Sequence, residues 1–179
     1  MPMRRGALRA PLLIAAVLVF LAVSRGCDSG GSEEPTGPVT ARVTHVVDGD
    51  TIDVRTPGDD EETVRYIGID TPETVKPDTP VQCGGPRAHA VNEALVGGRT
   101  VTLRFDAERR DVYGRLLAYV YRPAARPGGR PLFVNAELVR RGLARTLTIP
   151  PNDSFAALFA RLAAAAGAAG RGLWGHCAL

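Results

Sequence analysis

Ten consecutive residues, Arg65-Tyr66-Ile67-Gly68-Ile69-Asp70-Thr71-Pro72-Glu73-Thr74, set an arginine, an apolar strand and two carboxylates around a proline-stiffened turn. Asp48-Gly49-Asp50 lies upstream and Asp111-Val112-Tyr113-Gly114-Arg115 downstream. Brought together, these groups would make a site for a hard cation, an attacking water and a phosphate. Phosphodiester hydrolysis is the leading chemistry that needs all three at once.

Asp50 and Asp70 each fall at a strand end beside a turn, where side chains can converge. Two carboxylates about 4 Å apart repel by roughly 4 kcal/mol at an effective dielectric of 20, so convergence calls for a cation or a shared proton. An all-oxygen site favours calcium, magnesium or manganese over zinc or copper. Thr71 can add its backbone carbonyl, because the proline after it holds it extended. Glu73 can take a proton from a water or orient it. Arg65 and Arg115 form a charge clamp, since planar guanidinium forks match the oxygens of a phosphate. Donors aimed at developing charge are typically worth about 10²–10³ in rate each. Tyr113 can hold a terminal phosphate or stack on a base; the alternative is a half-buried barrel tyrosine. Each group alone has a plainer reading. Aspartates in turns cap their own backbone, Glu73 fits a solvated loop, and strand arginines often pair at a surface. Only the joint pattern selects the chemistry.

The elements that must position these groups follow from apolar periodicity. Residues 39–55 read as strand, broken at Asp48-Gly49-Asp50, and 57–60 as a turn. Residues 62–69 read as one strand, with Val64, Tyr66 and Gly68 on one face and Arg65, Ile67 and Ile69 on the other. Pro86 opens a helix that runs over 87–96 and ends at Gly97-Gly98. Val101, Leu103 and Phe105 alternate as a strand, 115–121 is another, and 132–134 is a short one. Asn135 is placed to cap a helix over 136–141, closed by Gly142. Asp153 or Ser154 would cap the last helix, which extends to about Ala166, with 167–172 a turn. Tyr119, Tyr121 and Phe133 are assigned to the core. Short strands with helices inserted and appended give an α+β domain, and a small barrel fits. No internal repeat is present.

The formal charge of +3 sits in the leader. Residues 1–26 carry Arg4, Arg5, Arg9 and Arg25 and no acid, so the remaining 18 basic and 19 acidic side chains net −1. Net charge therefore gives no support for broad phosphate-backbone attraction. A basic face would need clustering, for instance among Arg104, Arg109, Arg110, Arg115, Arg140 and Arg141. The basic start and the apolar run 12–23, too short for a comfortable span, read as an export signal. Gly26-Cys27 resembles a bacterial lipoprotein cleavage site, which would anchor the chain through a lipidated Cys27; ordinary secretory cleavage after Ser24 is the alternative. Residues 28–38 read as a flexible tether, so the expected organisation is an export signal over 1–26, a linker over 27–38 and one domain over 39–179. The expected location is outside the cell or on the outer face of its membrane. An oxidising compartment would allow Cys83 and Cys177 to pair. His45, His89 and His176 do not stand at zinc-ligand spacing with the cysteines.

Taken in order, Asp48-Gly49-Asp50-Thr51, residues 65–74, Asp111-x-Tyr113-Gly114-Arg115-x-Leu117-Ala118-Tyr119 and Asn135-Ala136-Glu137-Leu138-Val139-Arg140-Arg141-Gly142-Leu143-Ala144 resemble the staphylococcal nuclease (thermonuclease) family. The resemblance covers about residues 39–175. It implies a five-stranded OB-fold β-barrel with about three helices, one bound Ca2+, and hydrolysis of DNA and RNA that leaves 3′-phosphate ends. It further implies that Asp50, Asp70 and the Thr71 carbonyl bind calcium, that Glu73 is the general base or water-orienting group, that Arg65 and Arg115 stabilise the pentavalent phosphorus, and that Tyr113 contacts the nucleotide phosphate. Three departures touch substrate grip. Val112 replaces a family lysine, 147–152 lacks the family tyrosines of the base pocket, and Lys76 is the single lysine. A monomer is expected. The competing readings are a catalytically inactive OB-fold module that binds nucleic acid or protein, and a structural envelope lipoprotein.

Overall fold

The computed structural model describes residues 37–74 and 80–177. The expected export signal, Cys27, the tether as far as residue 36 and Lys76 lie outside them. Apolar alternation builds the first strand, β1 (Val39–Val46), with Val39, Ala41, Val43 and Val46 turned inward. A register shift between Val43 and His45 explains why residue 46 rather than 45 is buried. β1 pairs antiparallel with β2 (Thr51–Arg55), and β2 with β3 (Glu61–Tyr66). On its other side β1 pairs with β5 (Thr100–Arg104), and β5 with β6 (Leu116–Arg122). A parallel seam between β3 and β6 closes the five strands into a barrel. The expected OB-fold is present. A short β7 (Leu132–Phe133) extends β6, and β4 (Gly68–Asp70) pairs separately with β8 (Arg145–Leu147).

Ile52, Val54, Val64, Val101, Leu103, Ala118 and Val120 are fully buried inside the barrel. Burying a Val, Leu or Ile side chain stabilises by about 1.5–3 kcal/mol relative to leaving it exposed. Three main helices pack outside: α1 (Gly85–Val96), α2 (Val134–Arg140) and α3 (Ala156–Ala168). A fourth, α4 (Leu173–His176), is a single turn where the sequence suggested none. Tyr119 is buried and packs edge-on against Phe155, with ring centroids 4.7 Å apart. Tyr121 and Phe133 stack at 4.5 Å but are only half-buried. A disulfide joins Cys83, just before α1, to Cys177, just after α4, across 94 positions. No helix among the described residues is long and apolar enough to cross a membrane.

Several local expectations need correction. The run 62–69 is two strands, not one. Gly68 takes a positive φ of 81° and Phe159 lies where its Cβ would be, so the alternation changes phase there and Ile67 and Ile69 are buried alongside Val64 and Tyr66. Asn135 is not a cap. It sits inside α2, fully buried; its Oδ1 accepts the Val120 N–H at 2.9 Å and its Nδ2 donates to the Ile67 carbonyl at 2.9 Å. Nor does a side chain of Asp153 or Ser154 cap α3, because the Ser154 hydroxyl is taken by Asp106 at 2.9 Å. That same Asp106 accepts the Tyr119 hydroxyl at 2.7 Å, fastening the start of α3 to the barrel.

Candidate active site

The turn between β1 and β2 aims Asp50. Asp48 Oδ1 accepts the Asp50 N–H at 2.9 Å, the ordinary turn-capping role of an aspartate. Asn92 of α1, fully buried, donates to the Asp48 carbonyl at 3.0 Å and accepts the Tyr66 hydroxyl at 3.0 Å, tying helix, turn and barrel together. Gly49 brings the turn against the Asp70-Thr71 segment. A Cβ at position 49 would fall 2.7 Å from Thr71 Oγ1 and 2.8 Å from Ala88 Cβ, closer than real contacts allow. The Thr71 N–H donates to Asp50 Oδ2 at 2.6 Å, and the Thr51 hydroxyl reaches Asp50 Oδ1 at 3.2 Å.

Arg65 then joins the two aspartates. Its Nη1 is 2.9 Å from Asp50 Oδ1 and its Nη2 is 2.8 Å from Asp70 Oδ1, while Nη1 also donates to the Ile69 carbonyl at 3.0 Å. The Asp50 side chain is 5% exposed and that of Asp70 54% exposed, so one carboxylate is sealed and the other opens to solvent. Burial, the largest influence, pushes the Asp50 carboxyl up to about 7; the Arg65 guanidinium pulls it down, Asp48 and Asp70 raise it further, and the Thr71 N–H lowers it. Burial and the two neighbouring acids thus outweigh the arginine and the N–H.

The parallel seam sets the second arginine. Arg65 lies opposite Leu117, and Arg115 is two positions before Leu117, hence on the same face. Asp111 orients it, accepting the N–H groups of Tyr113 at 2.9 Å and Arg115 at 3.0 Å through Oδ1 and Arg115 Nε at 2.7 Å through Oδ2. Arg65 and Arg115 line one cleft of about 350 Å³ with Asp111, Tyr113, Leu147 and Ile149. Tyr113 is 81% exposed, with the Arg115 guanidinium 5.3 Å from its ring centroid, which excludes the barrel-tyrosine alternative. Val112, Leu147 and Ile149 are exposed at the same cleft and give it an aliphatic wall.

Glu73 stands two residues past Thr71 on the loop leading to α1. Its backbone exchanges hydrogen bonds with Gln82, its N–H to Oε1 at 3.1 Å and its carbonyl from the Gln82 N–H at 3.0 Å; its Oε1 accepts the Thr74 N–H at 2.9 Å. No group of three or more His, Cys, Asp or Glu side chains gathers for a metal among the described residues. A hard cation nevertheless fits the donor chemistry. Two aspartates share one guanidinium, one of them is buried and under-compensated, and the rest of the set is oxygen.

Sequence reasoning missed Asn92 and the orienting role of Asp111. Asn92 falls inside a helix run with no local mark of its buried role. Asp111 had a signal, an aspartate two residues before the Tyr113 N–H it accepts. The suggested arginine face does not form. Arg115 lines the cleft, Arg104 lies over Tyr121, Arg109 over Phe105 and Arg110 pairs with Glu62, while Arg140 and Arg141 line a different hollow.

The family model described as staphylococcal nuclease homologue matches residues 63–176. A thermonuclease of Staphylococcus hyicus is 35% identical over 148 residues, 80% of this chain and 83% of that protein. A thermonuclease of Staphylococcus intermedius is 46% identical over 113 residues, 63% of this chain and 62% of that protein. Endonuclease YncB of Bacillus subtilis (strain 168) is 42% identical over 119 residues, and the match spans about half of its length, 53%. A closed five-stranded barrel, a family match over well over half of the chain and similarity along most of the S. hyicus protein agree: this chain belongs to the staphylococcal nuclease family.

Proposed function

We propose that this protein is a calcium-dependent nuclease that hydrolyses phosphodiester bonds of DNA or RNA and leaves 3′-phosphate ends. One observation carries the reading: Arg65, which touches both Asp50 and Asp70, lines the same cleft as Arg115. A binding module has no need of two guanidiniums converging beside paired carboxylates. The names of the relatives, thermonuclease and endonuclease, support the same reading.

Asp50, Asp70 and the Thr71 carbonyl would hold calcium. Bound there, the ion supplies Lewis-acid polarisation of a phosphate oxygen. Arg65 and Arg115 grip the non-bridging oxygens as charge builds at phosphorus. Glu73 takes the proton of the attacking water or orients that water, and the bond from phosphorus to the 5′ oxygen breaks. Tyr113, exposed at the rim, contacts the nucleotide phosphate. With Val112, Leu147 and Ile149 in place of a lysine and tyrosines, binding is weaker and base preference altered before turnover is affected. The protein acts as a monomer outside the cell or at the outer face of its membrane. The Cys83–Cys177 disulfide supports export, because such bonds persist in oxidising compartments. Attachment through a lipidated Cys27 follows from the leader pattern alone.

The test is cleavage of plasmid and single-stranded DNA with calcium, then with chelator. Activity should vanish on chelation and fall by about 10²-fold or more in Arg115→Ala. Binding without cleavage would end the enzyme reading.

A further inference from the structure

Beyond the candidate cleft, the surface carries three neighbouring hollows that share lining residues. The first, about 290 Å³, begins at the opposite side of the candidate site, where Asp70, Thr71 and Arg145 line it together with the Cys83–Cys177 disulfide. Arg145 lies directly opposite Asp70 in the β4–β8 ladder and is exposed. The second, about 320 Å³, shares both cysteines and Leu173 with the first. The third, about 430 Å³, shares Arg87, Leu143, Gly172 and His176 with the second.

That third hollow is strongly basic. Arg87 of α1, Arg140 and Arg141 at the end of α2, and Arg171 before α4 all line it, and no Asp or Glu does. Glu137 fixes two of them from beneath: its carboxylate accepts Arg140 through Nε and Nη2, each at 2.7 Å, and Arg141 Nε at 2.7 Å. Arg171 Nη1 donates to the Arg140 carbonyl at 3.3 Å. Four guanidinium charges against one carboxylate leave the cluster at +3, while the 18 basic and 16 acidic side chains of residues 39–179 nearly balance. The clustering is what gives this face its sign.

We propose that the three adjoining hollows form a phosphate-binding track for a single nucleic-acid strand, leading from the Asp70 side of the candidate site to the arginine cluster on α1, α2 and the segment before α4. The track rests on the nuclease reading for its direction, not for its existence. The shared lining of the hollows and the planar guanidiniums held by Glu137 favour a phosphate backbone. Single-stranded chain fits better than duplex, because a concave path between helices demands a flexible polymer and duplex DNA stays straight over about 50 nm.

The experiment measures binding apart from cleavage. Fluorescence anisotropy of a labelled single-stranded 25-mer is read in chelator on the whole chain, for the wild type, Arg87→Gln/Arg171→Gln and Arg87→Lys/Arg171→Lys. Neither arginine touches Glu137, so the support beneath the cluster stays intact, and a thermal melt confirms folding. Each single-strand phosphate contact adds about 0.7 to the slope of log K against log salt, so losing two flattens it by about 1.4 and weakens binding about 25-fold at 0.1 M salt. The lysine variant should recover most of the loss, and a trinucleotide, too short to reach the cluster, should bind all three proteins alike. An unchanged dissociation constant and salt slope in the glutamine variant would overturn the track. So would loss of binding to phosphatidylserine vesicles with the 25-mer unaffected, which would assign the cluster to a lipid surface. Absence of calcium-dependent cleavage alongside arginine-dependent 25-mer binding would sink the nuclease reading and leave the track standing.

Discussion

Replacing Arg65 with alanine should cost both stability and chemistry, and the two losses are separable. Its guanidinium spans Asp50 and Asp70 at 2.9 and 2.8 Å. Only the Asp50 pair counts as buried, with side-chain exposures of 15% and 5%; Asp70 is half in water and its pair is worth under about 1 kcal/mol. Breaking a buried pair by removing one partner costs about 3–5 kcal/mol. The lower end applies, since Asp50 keeps the Thr71 N–H and the Thr51 hydroxyl. About 3 kcal/mol in a domain of this size lowers Tm by about 9 °C. Melting in chelator, followed by the fluorescence of the single tryptophan, Trp174, checks it. Arg65→Ala/Asp50→Asn removes the stranded charge and should regain about half of the lost stability while remaining inactive. The Asp50 carboxyl is raised by burial, so acidifying from pH 8 to 5 neutralises it and shrinks the deficit of the single variant. Additive costs in the double variant would refute the coupling, as would a Tm shift of less than about 2 °C in the single one.

Asn135→Ala strands the buried Val120 N–H and Ile67 carbonyl. At about 1–3 kcal/mol per unmet group, denaturant unfolding should show a loss of about 3 kcal/mol with catalytic turnover per folded molecule unchanged. Opening the Cys83–Cys177 bridge, by Cys83→Ser/Cys177→Ser, frees a 94-residue loop of the unfolded chain and should reduce unfolding free energy by about 2–5 kcal/mol; an unaffected melt would show that closing that loop does not stabilise the fold. Asp106 supplies the acid-side test. Burial pushes its carboxyl up, but bonds from Tyr119, Ser154 and the Ala107 N–H outweigh that and hold it below its ordinary 3.8. The unfolded chain therefore protonates first; the stability from this group is full above about pH 4 and fades as pH falls through the folded value. Asp106→Asn should flatten that acid limb, and an unchanged limb would show that the bonds to Tyr119 and Ser154 carry no charge dependence.

Much of the candidate site's arrangement is legible in the sequence, for a physical reason. Asp50, Asp70, Arg65 and Arg115 sit in short motifs whose turn residues, Gly49, Pro72 and Gly114, leave a mark in the chain. The barrel strands were legible where one face is buried, as with Val101 and Leu103. Legibility failed where a residue's partner is remote. Asn135 before an apolar run looks like a cap, and only the polar groups at Val120 and Ile67 show that it is a bridge. Gly68 read as an ordinary strand position, while a Cβ there would meet Phe159, ninety-one positions away. β8 escaped notice because all three of its residues are exposed, leaving no alternation to find.

On the proposed mechanism, the seam between β3 and β6 makes turnover a gauge of completed folding. Arg65 and Arg115 belong to distant stretches of chain and become neighbours only where β3 meets β6. Without that seam, only one of the two guanidiniums of the proposed phosphate grip stands at the aspartates. The proposed activity should therefore be lost at the same denaturant concentration that melts the core.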